Sequence, residues 1–166
     1  MVDLIIFMDS CAFYPPQKLE KEASNRLFDL YDKGKLDIEV PYGVVYELSK
    51  LNHPVSNKLL DKVHTVPVTL TSEEYHQMRD IQQVLFSDKR DLQPNDKIDI
   101  ENVFEAIKHG CAFFVTCDKR HILSKAHELY ERFHLQVMCP SDSLKRIETY
   151  ISNPNAFYSQ LFKDHP

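Results

Sequence analysis

Glycine is scarce in this chain, with three in 166 residues. None falls in a G-x-G-x-x-G or Walker-type run, so no loop cradles phosphate and a nucleotide-cofactor enzyme is disfavoured. Tryptophan is absent, and the four cysteines (Cys11, Cys111, Cys117, Cys139) include no CxxC pair. They read as reduced structural thiols of a cytosolic protein, three of them in or beside predicted strands, where a thiol packs as a small apolar residue. The eight histidines lack the intervals of zinc ligands. His109 and His121 are therefore expected to be surface or partly packed side chains. No apolar run approaches a membrane span, and Met1-Val2-Asp3 is no basic leader, so a soluble cytoplasmic protein with no membrane partner is expected. A net charge of −5 argues against a broad basic surface. It does not argue against a nucleic-acid enzyme, because an acidic metal site adds to the negative count.

What is present is an alternation of apolar strands and amphipathic helices. Leu4–Met8 is a continuous apolar run, as expected of a strand covered on both faces. A helix follows from Lys18 to about Lys33, then a strand at Leu36–Val40 and a helix from Tyr42 to Leu51. Val55–Val63 reads as helical and Thr65–Leu70 as extended. Thr71 or Ser72 caps a helix to about Phe86, and Ser87–Pro94 is a polar loop closed by proline. The stretch DIENVFEAIKHGCAFFVTCD, Asp99 to Asp118, then gives a helix, a glycine stop at Gly110, the strand Ala112–Thr116 and a terminal acid. Lys119–Phe133 is predicted helical, Gln136–Cys139 a strand and Ser143–Ile151 a last helix introduced by Pro140. This order predicts an α/β fold with a mostly parallel central sheet and helices on both faces. One domain is expected over 1–151. An aromatic tail over 152–166 (Phe157, Tyr158, Phe162) would cover its own core, dock on a partner or pair two copies as a homodimer.

Four acids stand where such a fold keeps its site. Asp9 and Asp118 each follow a buried strand directly, and ligands of open α/β sheets bind outside the carboxyl ends of strands. Glu47 falls on the apolar stripe of its helix, and Asp99 shares a stripe with Val103, Ala106, Ile107 and Gly110. Each has an ordinary alternative. Asp9 fits a turn after a strand, Glu47 a pairing with Lys50, Asp99 a capping arrangement behind Asn95 or Asp96, and Asp118 the cap of the next helix. Together, carboxylates at one pocket call for a hard cation, Mg²⁺ or Mn²⁺, as one or two ions. Such a site suits phosphodiester hydrolysis. Asp96 is open between a helix cap and a further ligand, and Asp142 is expected to cap the last helix. Lys89, Arg90, Lys97, Lys119 and Arg120 lie near the acids in sequence as a local phosphate rim, Lys119 and Arg120 being the better placed.

The strand ending LIIFMD-S, the inward Glu of VVYELSKL and the run from Asp99 through Gly110 to Thr116-Cys117-Asp118 resemble a PIN domain. The resemblance spans about Leu4 to Pro140. It implies a Rossmann-like three-layer sandwich and a metal-dependent endoribonuclease, hydrolysing RNA to leave phosphate on one fixed side of the cut. It also implies a metal quartet of Asp9, Glu47, Asp99 and Asp118, with Ser10 and Thr116 orienting the acids or touching phosphate. Many members are toxins of toxin–antitoxin pairs, which would add an inhibitory antitoxin-like partner to the RNA substrate. Asn102, Phe104 and Glu105 depart from the family's small, alanine-rich helix. The alternatives are a catalytically idle PIN-like module that binds RNA or protein, and a phosphotransferase using Asp9 as nucleophile. The second needs an Asp two residues on, where this chain has Cys11.

Overall fold

The computed structural model describes residues 4–51, 63–64 and 69–153. Three sequence readings fall wholly or largely outside them: the helix over 55–63, the extended segment over 65–70 and the aromatic tail over 152–166.

Strand β1 (Ile5–Met8) is the middle of the sheet, because its side chains alternate between two apolar cores. Ile6 and Met8 join one core and Phe7 the other. Asp9 ends the strand and caps a one-turn helix, α1 (Ser10–Phe13), accepting from the Ser10 N–H at 2.8 Å. Helix α2 (Lys18–Asp32) buries Ala23, Leu27 and Leu30, spaced for one face, and returns the chain to β2 (Asp37–Pro41). Helix α3 (Tyr42–Leu51) follows without a loop, then the two-residue strand β3 (Val63–His64). Val63 is therefore a strand residue rather than the end of a helix.

The second half opens with α4 (Ser72–Phe86), where Thr71 and Glu74 exchange bonds as a capping box. Helix α5 (Pro94–His109) begins with a proline in its first turn and ends on Gly110 at φ 64°, a left-handed C-cap that glycine takes without steric cost. Asp99 thus lies a turn inside α5 rather than at its start. Strand β4 (Phe113–Val115) is followed by a turn and a short 3₁₀ segment (Leu123–Lys125), and only then by α6 (Ala126–Phe133). The long helix expected from Lys119 is divided because the Asp118 side chain captures the first backbone N–H groups in a turn. Strand β5 (Val137–Met138) and α7 (Pro140–Ser152) complete the order. Cys139, not Asp142, is the residue before the first turn of α7.

The strand order is β3-β2-β1-β4-β5 and every pairing is parallel. One face carries α2, α7 and the apolar side of α3, through Leu27, Ile147, Val44 and Leu48. The other carries α4, α5 and α6, through Ile81, Val103 and Leu129. This is the expected Rossmann-like three-layer α/β sandwich. The chain builds leftward from β1 to β3, then restarts at β4 on the other side of β1. That reversal puts the switch point of the sheet between the carboxyl ends of β1 and β4. No helix among the described residues is long and apolar enough to cross a membrane.

Candidate metal centre

The register Met8↔Val115 brings Asp9 and Thr116 level at the switch point, where the Asp9 N–H donates to the Val115 carbonyl at 2.9 Å. The Thr116 hydroxyl donates to Asp9 Oδ2 at 2.7 Å, and the Cys11 thiol reaches the same oxygen at 3.3 Å. Asp9 is buried, 5% exposed. Burial raises its pKa above the ordinary carboxylate value, against the lowering effect of its bonds from Thr116, Cys11 and Ser10, while the nearby Glu47 charge raises it further. The turn-forming reading of Asp9 is realised, since it caps α1, and its carboxylate stands at the switch point.

Asp118 is held by the turn that follows β4. Its N–H donates to Thr116 Oγ1 at 3.0 Å, and its Oδ1 accepts from the backbone of Arg120 and His121 at 2.9 and 3.0 Å. The other oxygen, Oδ2, lies 3.3 Å from His121 Nδ1. The His121 imidazole is steadied by the Phe86 ring, with centroids 5.4 Å apart. Asp99 reaches the same point from α5. One ligand atom each from Asp99, Asp118 and His121 lies within 4.8 Å of the others. This cluster fits a metal ion, since two carboxylates and an imidazole are a familiar donor set.

His121 is the site residue that sequence reasoning did not place among the ligands. Its signal was the interval of three from Asp118, which in a helix is one turn but here is an acid-capped turn pointing both groups the same way.

Glu47 arrives through an unusual helix contact. Gly43, one turn earlier on α3, packs so close to α5 that a Cβ there would come within 2.6 Å of Ile98 Cγ2 and 2.8 Å of Asn102 Oδ1. Glu47, half-buried one turn further along α3, is near enough for its charge to act on Asp99. Asp99 itself is pushed up to about 8, first by burial, then by the charges of Asp9, Asp118, Glu47 and Asp96. The four acids singled out in the sequence are therefore near neighbours electrostatically, although the tight ligand cluster holds only two of them.

Asp96 takes the other course. Lys89 Nζ donates to both its oxygens at 2.8 and 3.0 Å, and the Gln93 N–H donates to Oδ2 at 2.8 Å. The bond from Lys89 is the main reason its pKa falls below the ordinary value. Lys89 is thus a structural partner at the start of α5 rather than a free member of a rim. Lys119 and Arg120 are exposed beside Asp118, and Ser10 is half-buried at the first turn of α1.

Fold and site together define a parallel, doubly wound α/β protein with an acidic candidate cation site at its switch point. The chain matches no protein-family model and no curated protein.

Proposed function

We propose that the chain is a PIN-like endoribonuclease that hydrolyses RNA phosphodiester bonds with a divalent ion at the switch point. The observation that best supports this reading is Asp99. A half-buried acid, surrounded by acids and displaced to about 8, is a group arranged for a cation. In this reading Asp99, Asp118 and His121 hold the ion, and Mn²⁺ is favoured over Mg²⁺ because imidazole suits the softer of the two. The ion supplies Lewis acidity toward the phosphate and an activated water. Thr116 fixes the Asp9 carboxylate, Glu47 orients the attacking water from α3, and Lys119 and Arg120 take flanking phosphates. RNA as substrate rests on the resemblance of the Asp99–Asp118 stretch to PIN domains.

The test is cleavage of a panel of single-stranded RNA, single-stranded DNA and duplexes in Mn²⁺, Mg²⁺ or EDTA. RNA cutting in Mn²⁺ that EDTA abolishes is expected. Folded protein that cuts nothing in any metal would favour a binding module instead.

A further inference from the structure

Two cysteines lie together beside the acids of the switch point. Cys11 lies in α1, two residues past Asp9, and Cys117 lies between Thr116 and Asp118. The Cys11 sulfur is 3.3 Å from both Asp9 Oδ2 and Thr116 Oγ1, and it accepts the Cys117 N–H at 3.1 Å. The contact of the Cys11 sulfur with the Cys117 backbone places the two cysteines side by side, on α1 and on the segment after β4. Cys117 lines an open cavity of about 350 Å³ at the carboxyl ends of β4 and β5, shared with Lys119, Met138 and Cys139. A small solute therefore has a path to Cys117, and Cys11 stands next to it.

We propose that Cys11 and Cys117 are an oxidative modification site, closing to a reversible disulfide under a hydroperoxide and thereby disabling the cation site. The disulfide rests on the thiol geometry alone, and its effect on the cation site rests on the reading above. In the first step the Cys117 sulfur attacks a peroxide oxygen. An S–O bond forms, the O–O bond breaks, and water or an alcohol leaves with the thiol proton, giving a sulfenic acid. The Cys11 sulfur then attacks the Cys117 sulfur, and the hydroxyl leaves as water with the Cys11 proton. Two thiols are oxidised by two electrons and one peroxide is reduced. The product ties α1 to the segment between Thr116 and Asp118. It also removes the S–H that Cys11 offers Asp9, so the support of two acids changes at once.

The alternative pairing is Cys117 with Cys139, because both line the same cavity. Hydrogen peroxide treatment of the folded full chain, followed by alkylation, intact mass and peptide mapping, separates the two. A Cys11–Cys117 link that dithiothreitol reverses, persists in Cys139→Ser and is lost in Cys117→Ser is expected. A Cys117–Cys139 link, or no intramolecular link in the wild type, would overturn the assignment. Calorimetric Mn²⁺ titration of the oxidised and reduced wild type then reads the coupling. Affinity about tenfold weaker after oxidation is expected, the size of effect seen when support of metal ligands is altered. Equal affinities would overturn the coupling and leave the disulfide standing. A reduced protein that binds no Mn²⁺ would overturn the cation-site reading and the coupling with it, while the mapping still decides the disulfide.

Discussion

Asp99 is the side chain on which the proposed function most depends, and its displacement to about 8 has consequences that can be measured. An unfolded chain titrates an aspartate near ~4, so the folded, metal-free protein binds this proton more tightly than the unfolded one. Its contribution to stability is therefore full below the unfolded value and declines as pH rises toward about 8. Asp99→Asn stays neutral throughout. In EDTA, the variant should melt above the wild type at pH 8, with the gap closing toward pH 4; a constant gap would refute the electrostatic assignment. An ion must also displace this proton. Calorimetric titration of Mn²⁺ at pH 7 in two buffers of different ionisation enthalpy should show proton release, and release that persists in Asp99→Asn would assign it to another group. His121→Ala should weaken Mn²⁺ binding by about tenfold or more, with a smaller loss for Mg²⁺. Equal losses for the two ions would argue that the imidazole is only a neighbour of Asp118. Asp9, Asp99 and Asp118 were legible because each stands at a fixed place in a strand or helix pattern. The approach of His121 to Asp99 and Asp118 was not, since it follows from a turn that the run KRHILSKAHELYERF does not announce.

Among the elements, α3 carries Glu47 and packs on α5 through Gly43. Gly43 leaves no room for a side chain, since a Cβ added there would lie 2.6 Å from Ile98 Cγ2. Gly43→Val must displace the Ile98 and Asn102 side chains from the α3–α5 contact, and overpacking of this kind costs about 1–3 kcal/mol. A lower melting temperature and weaker Mn²⁺ binding are expected together. Normal metal binding with reduced stability would detach Glu47 from the site. The stripe of α3 showed Glu47 facing inward, but no pattern within α3 alone could show that Gly43 faces Asn102, because that depends on the partner helix. The caps tell a similar story. Thr71 with Glu74 and Gly110 were readable as local signals, since each acts on the backbone within a few residues. The ion pair of Lys89 with Asp96 was not, because the polar loop between them gave no direction to either side chain.

For the molecule as a whole, the alternation of strands and helices carried the fold class, and the even covering of β1 on both faces followed from its unbroken apolar run. Strand order was beyond that pattern. Strands β1 and β4 are neighbours although most of the chain separates them, and this pairing brings Asp9 and Asp118, distant in sequence, to adjoining strand ends. For the proposed RNA substrate, the net charge of −5 and the acids around Asp99 also bear on how a polyanion approaches. Without an ion, repulsion opposes phosphate, so a divalent cation should be required for RNA binding as well as for cutting. The most direct measurement is the cleavage of single-stranded RNA in Mn²⁺ by wild type and Asp99→Asn side by side, with both shown to be folded by circular dichroism. Cutting by the wild type and loss of it in the variant are expected. Cutting that survives in Asp99→Asn would contradict the assignment of the switch-point acids as the catalytic centre.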